Sequence, residues 1–203
     1  MTDSLSTYIL SDVTEAADTM RRIRDDGALH ATLEAVAARC VERLRAGQTI
    51  FLCGNGGSAS DAQHLAAELV NRFAYDRPGL PAFALTTDAS VMTSISNDYG
   101  YDRVFARQVE AVSRPGDVLI GLSTSGRSPN VIAALRAARA RQLVTVGMTG
   151  AQAADMADCC DYLLQVPAAK TARIQEGHIL IGHVLCGLVE RVMHPPRPSS
   201  SSS

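Results

Sequence analysis

The sequence predicts an α/β fold, a three-layer sandwich built on a five-stranded parallel sheet and preceded by two helices. Three observations point to it. Short apolar runs at residues 50–53, 82–85, 118–122, 143–147 and 162–166 read as buried strands. Segments with apolar residues at helical spacing separate them, as the crossover helices of a parallel sheet do. Two more such segments stand before the first strand, where no crossover is needed.

In chain order, residues 4–25 place Tyr8, Ile9, Val13, Ala16, Ala17, Met20 and Ile23 on a helical stripe. Residues 29–46 do the same with Leu33, Val36, Ala37, Cys40, Val41 and Leu44, and stop at Gly47. This pair is expected to pack beside the sheet or against another subunit. The first strand breaks into Gly54-Asn55-Gly56-Gly57-Ser58, and a helix follows from Ser58 with Ala62, Leu65, Leu69 and Phe73 on one side. A loop at residues 77–81 precedes the second strand. Asp88 can cap a helix running to about Ser96, which Asn97-Asp98-Tyr99-Gly100 is expected to break. Residues 104–112 read as helix, and Pro115-Gly116-Asp117 turns into the third strand. Ser123–Pro129 is a hydroxyl-rich loop before an alanine-rich helix at residues 130–141. A short helix at 151–157 and a long one at 172–193 complete the pattern. Pro195, Pro196 and Pro198 end it, so residues 1–194 are expected to form one domain and residues 195–203 a disordered tail.

With 203 residues, 46% of them hydrophobic and 20% charged, the chain can bury a substantial core. A net charge of −2 and a pI near 6.2 give no electrostatic case for nucleic-acid or membrane binding. Of nineteen basic residues only Lys170 is a lysine, which counts against Schiff-base chemistry. Five cysteines (40, 53, 159, 160 and 186) without CxxC spacing read as buried thiols in a reducing compartment. No signal-peptide profile or membrane-length apolar run is present, so a cytoplasmic location is expected.

Two loops carry the chemistry. Both follow strands of a parallel sheet, and ligands bind beyond the carboxyl ends of such strands. Ser123, Thr124, Ser125 and Ser128, with Gly126 and a helix N-terminus, offer hydroxyls, backbone N–H groups and a favourable dipole to a phosphate. The Gly54 loop lacks the lysine of an ATP-binding P-loop. It matches GxGxxA, but no acidic residue stands where a dinucleotide site needs one. A sugar phosphate fits these loops better than a nucleotide. His64 and Glu68, four residues apart, share a helix face. Gln175, His178 and His183 lie on the last helix, and two histidines with a carboxylate could hold a divalent ion, zinc being favoured by imidazole. Gln175 and His183 are eight residues apart, about 12 Å along an ideal helix. Either the first turn of that helix is irregular, or the two residues serve sites shared between subunits; the second is favoured. Asp61, one turn before His64, could orient a histidine or contact substrate, but a solvated helix residue is the favoured reading.

Asn55-Gly56-Gly57-Ser58, His64 with Glu68, Asn97-Asp98, Ser123–Ser128, and Ala172–Glu176 with His183 resemble the phosphoheptose isomerases, members of the sugar isomerase (SIS) domain proteins with a flavodoxin-like fold. The likeness spans about residues 5–193. It implies a homotetramer converting D-sedoheptulose 7-phosphate to D-glycero-D-manno-heptose 7-phosphate, the first step towards ADP- or GDP-heptose for bacterial lipopolysaccharide or capsule. It implies one zinc per subunit held by His64, Glu68, Gln175 and His183. Substrate contacts implied are Asn55, Gly56, Gly57, Ser58, Asn97, Asp98, Ser123, Thr124, Ser125, Ser128 and Gln175. Glu68 is expected to act as base and His183 as its proton-moving partner in an enediol mechanism. The competing expectation is a non-catalytic SIS protein that binds a sugar phosphate or associates with the replication initiator DnaA. That class resembles this chain in its loops but lacks the glutamate and the last histidine.

Overall fold

A computed structural model describes residues 4–196. Its centre is a sheet of five parallel strands in the order β2-β1-β3-β4-β5: β1 (Ile50–Cys53), β2 (Ala82–Ala84), β3 (Val118–Leu122), β4 (Val144–Thr149) and β5 (Tyr162–Gln165). The expected strands are thus all present, in one sheet. Side chains alternate between its faces, as the pleat requires. Ile50, Leu52, Val118, Ile120, Val146 and Met148 join one core, while Phe51, Cys53 and Leu119 join the other.

The first core is closed by α2 (Gly27–Arg45), α3 (Gly57–Val70) and α7 (Thr171–Met193). The second is closed by α5 (Val104–Val112) and α6 (Pro129–Ala140). α6 begins at Pro129, whose missing N–H costs nothing at a first helical position. α1 (Leu5–Asp25) lies on α7 and buries only Thr19 and Ile23. The buried guanidinium of Arg173 on α7 holds it there, donating to the Asp12 carbonyl at 2.7 Å and carboxylate at 3.1 Å. Leu5, Tyr8, Ile9, Leu10 and Val13 remain exposed on α1.

The structure departs from expectation in two places. α4 (Ala89–Tyr99), capped by Asp88 as expected, runs through Asn97 and Asp98 and stops only at Gly100, which takes φ 85°. The amide of Asn97 donates to Asp98 at 2.8 Å, so these two residues satisfy each other without breaking the helix. The short helix expected at 151–157 is a 3-10 segment, Ala154–Cys159, entered through a positive φ of 44° at Ala154. The expected tail lies outside the described residues from residue 197 onward. Among the described residues, no helix is long and apolar enough to cross a membrane.

His178, on the buried face of α7, is fully buried, and among the described residues neither ring nitrogen has a hydrogen-bond partner. Burial pushes its pKa from 6.5 down to about 4, with the nearby Thr149 backbone pulling the other way. Between these values the unfolded chain binds a proton that the folded chain does not, so stability falls as pH falls through that window. The loss approaches about 3 kcal/mol at its lower end. Urea unfolding midpoints between pH 7 and pH 4.5 are expected to show this slope in the natural chain and to lose most of it in His178→Leu. An equal slope in both proteins would contradict the assignment.

Candidate active site

β1 pairs with β2 on one side and β3 on the other. The strand order therefore reverses between β1 and β3, and ligands bind at the carboxyl ends of strands beside such a reversal. Both loops singled out in the sequence emerge there. After β1, Gly56 adopts φ 55° and ψ −122°, a conformation that glycine takes without strain, and α3 starts at the next residue. Ser58 is buried and donates its N–H to the Asn55 carbonyl at 3.0 Å. After β3, the hydroxyls of Ser123 and Ser128 meet at 2.8 Å, and the Ser125 hydroxyl accepts from the Arg127 N–H at 3.2 Å. Thr124 and Ser125 line the same turn at the N-terminus of α6.

The two loops are tied by a reciprocal amide pair that sequence reasoning missed. Asn55 donates to Asn130 at 2.9 Å, and Asn130 donates back at 2.8 Å. Asn130 is 2% exposed, and its carboxamide oxygen also accepts from the N–H of Val131. A polar residue right after Pro129 on an otherwise alanine-rich helix was the available signal. The Tyr101 hydroxyl donates to Asn55 at 3.1 Å, a second contact not foreseen. It brings the end of α4, with Asn97 and Asp98 exposed on its last turn, to the same end of the sheet.

α3 and α7 pack side by side and run parallel. Their contacts advance together: Gly57 against Gln175, Leu65 against Gly182, Phe73 against Gly187. A Cβ built on Gly182 would lie 2.5 Å from a terminal methyl of Leu65, so the Leu65 side chain occupies the space that glycine leaves open. The approach brings His64 and Glu68 from α3 to His183 from α7. The Nε2 atoms of His64 and His183 are 2.9 Å apart, and Glu68 Oε1 is 3.2 Å from His64 Nε2. All three ligand atoms lie within 4.8 Å of one another. Two imidazole nitrogens and a carboxylate are a donor set that suits zinc. Around a tetrahedral ion the two nitrogens would stand ~3.3 Å apart, so the residues present fit such an ion after a shift of tenths of an ångström. Unexpectedly, Asp61 is half-buried, and its Oδ2 has no hydrogen-bond partner among the described residues. Burial raises its pKa, while His64 and His183 nearby pull it down.

Gln175 is not with these three. Its amide nitrogen lies 2.5 Å from where a Gly57 Cβ would be, at the loop. α7 is regular α-helix from Thr171 onward, which removes the irregular first turn as a way to bring Gln175 to His183.

A family model for the SIS domain matches residues 13–150. The phosphoheptose isomerase of Burkholderia pseudomallei is 54% identical over 184 residues, covering 91% of this chain and 93% of that one. That of Roseiflexus sp. is 54% identical over 191 residues, covering 94% and 96%. The solved structure of phosphoheptose isomerase GmhA from Neisseria gonorrhoeae superposes with a TM-score of 0.86 at 40% identity, covering 92% of this chain and 99% of that chain. The Francisella tularensis enzyme does so with a TM-score of 0.88 at 33% identity, covering 93% and 100%. With family, fold and coverage in agreement, the chain belongs to the phosphoheptose isomerases of the SIS domain family.

Proposed function

We propose that this chain isomerises D-sedoheptulose 7-phosphate to D-glycero-D-manno-heptose 7-phosphate, supplying the first step of ADP- or GDP-heptose synthesis for lipopolysaccharide or capsule in the bacterial cytoplasm. The observation that carries the reading is the convergence of His64, Glu68 and His183 on a pair of helices whose first turns meet at the glycine turn, tied through Asn55 to the hydroxyl-rich loop. A purely sugar-phosphate-binding or DnaA-associating SIS protein would have no use for that triad.

The phosphate is held by Ser123, Thr124, Ser125 and Ser128 at the N-terminus of α6, where the helix dipole favours an anion. Asn55, Gly56, Gly57, Ser58, Asn97 and Asp98 contact the sugar hydroxyls. Glu68 takes a proton from C1 of the open-chain ketose as the C1–C2 double bond forms and the C2 oxygen gains a proton. His183 then moves a proton from the C1 oxygen, and C2 accepts one, leaving the aldehyde at C1. His64, Glu68, Gln175 and His183 would hold one zinc ion per subunit. The chemistry that zinc supplies there is polarisation of the sugar carbonyl and stabilisation of the enediolate charge.

We infer further that Gln175 completes the site of a neighbouring subunit in a homotetramer. Eight residues of regular helix separate it from His183, about 12 Å. Exposed apolar residues surround the triad (Val70, Phe73, Leu180 and Val184) and line α1, consistent with faces covered by other copies.

Purified protein is expected to turn over sedoheptulose 7-phosphate, to lose activity on chelation and to regain it with zinc. No turnover with zinc present would overturn the isomerase reading. Glu68→Gln is expected to lower kcat by about a hundredfold or more and to abolish deuterium wash-in at C1. Normal exchange at C1 in that variant would remove Glu68 as the base. Coexpressed Gln175→Ala and His183→Gln chains, each inactive alone, are expected to recover partial activity in mixed oligomers. No recovery would place each site within one chain.

A further inference from the structure

The segment that follows α3 is held by a buried ion pair outside the triad. The side chains of Arg77 and Glu190 are 2% and 1% exposed, with Arg77 Nε donating to Glu190 Oε1 at 3.0 Å. Glu190 also accepts the backbone N–H groups of Phe73, at 2.8 Å, and Ala74, at 2.7 Å. Burial raises the Glu190 pKa, but these two N–H groups and the guanidinium outweigh it and hold it below the ordinary carboxylate value. The rest of the Arg77 fork closes the C-terminal end of α3. It donates to the carbonyls of Glu68 at 2.9 Å, Leu69 at 2.6 Å and Asn71 at 3.2 Å. Terminal helix carbonyls lack partners within the helix, and a cation at that end also suits the dipole.

Both ends of this cluster lead back to the triad. One is the backbone of Glu68 itself, bonded to Arg77. The other is Phe73, whose N–H is fixed by Glu190 and whose ring lies 5.6 Å from the His183 ring, inclined at 38°. Gly187, one turn beyond His183, leaves room for that ring: a Cβ there would come within 3.2 Å of Phe73 Cε1. Glu190 is seven residues beyond His183 on the same helix, so one element carries both the ligand and the anchor.

We propose that Arg77, Glu190 and Phe73 are positioning residues for the metal-ligating triad, the ion pair setting Glu68 through the end of α3 and His183 through the ring of Phe73. The proposal rests on the metal-dependent isomerase reading above. Ligand orientation by outer contacts is typically worth 10–100-fold in metal affinity. A purely structural anchor would instead change the melting temperature and leave the folded protein's site unaltered.

The test uses full-length Phe73→Leu, Phe73→Tyr, Gly187→Ala and Glu190→Gln. Zinc affinity is measured by competition with a chromogenic chelator, alongside kcat, KM and Tm. Phe73→Leu and Gly187→Ala keep the ion pair, so they report even where Glu190→Gln fails to fold. Phe73→Leu and Gly187→Ala are expected to weaken zinc binding about tenfold and to lower kcat with KM within about twofold, whereas Phe73→Tyr restores natural values. Natural zinc affinity and kcat in folded Phe73→Leu and Gly187→Ala, with only Tm lowered, would overturn the positioning role. Failure of the natural chain to bind zinc at all would overturn the metal reading and this proposal with it.

Discussion

The site depends on the close parallel approach of α3 and α7. Helices that bear full-sized residues on both sides stand apart by the length of their side chains; here Gly182 presents only backbone to Leu65. A methyl group at that position would have to be accommodated by displacing the buried Leu65 side chain or by parting the helices. Parting them would separate His64 and Glu68 from His183, whose ligand atoms come from opposite sides of the contact. The chemistry of the triad is thus a consequence of packing between two helices distant in sequence.

The sheet sets the other half of the site. Because β1 and β3 are neighbours, the turn after one and the loop after the other meet at the reversal of strand order. The Asn55–Asn130 pair locks them together, with each amide serving as donor and acceptor. Leaving either amide unpaired would strand a polar group that is buried (Asn130) or half-buried (Asn55), at a cost of about 1–3 kcal/mol. Since α3 starts at that same turn, the glycine turn and the helix bearing His64 and Glu68 are one continuous piece of chain. Gln175 packs on the start of that piece, and His183 lies two turns further along α7.

Much of this was legible in the sequence because it is local. Strand runs, the glycine turn, the hydroxyl loop and the His64–Glu68 spacing each depend on residues within a turn or a few positions. The parallel sheet followed from their alternation. What escaped was either non-local or a matter of competing local bonds. Arg77 and Glu190 are 113 residues apart, and nothing in either neighbourhood announces that they pair. Phe73 looked like one more core residue of α3, yet it lies beyond the end of the helix and against His183. Asn97 and Asp98 looked like helix breakers, because Asn and Asp often bond their own backbone; here they bond each other, and the break waits for Gly100. Asp61, one turn from His64, looked solvated because neighbours on α3 alone leave it open. The structure half-buries it, near His183 as well as His64.

X-ray absorption at the zinc edge of the loaded protein reads the ligands themselves, without reference to turnover. The expected result is a shell of nitrogen and oxygen only, at about 2.0–2.1 Å, with outer scattering from two imidazoles that drops to one in His183→Gln. Sulfur scattering at about 2.3 Å, or an imidazole count unchanged by that substitution, would place the metal elsewhere and leave the triad without the role assigned to it.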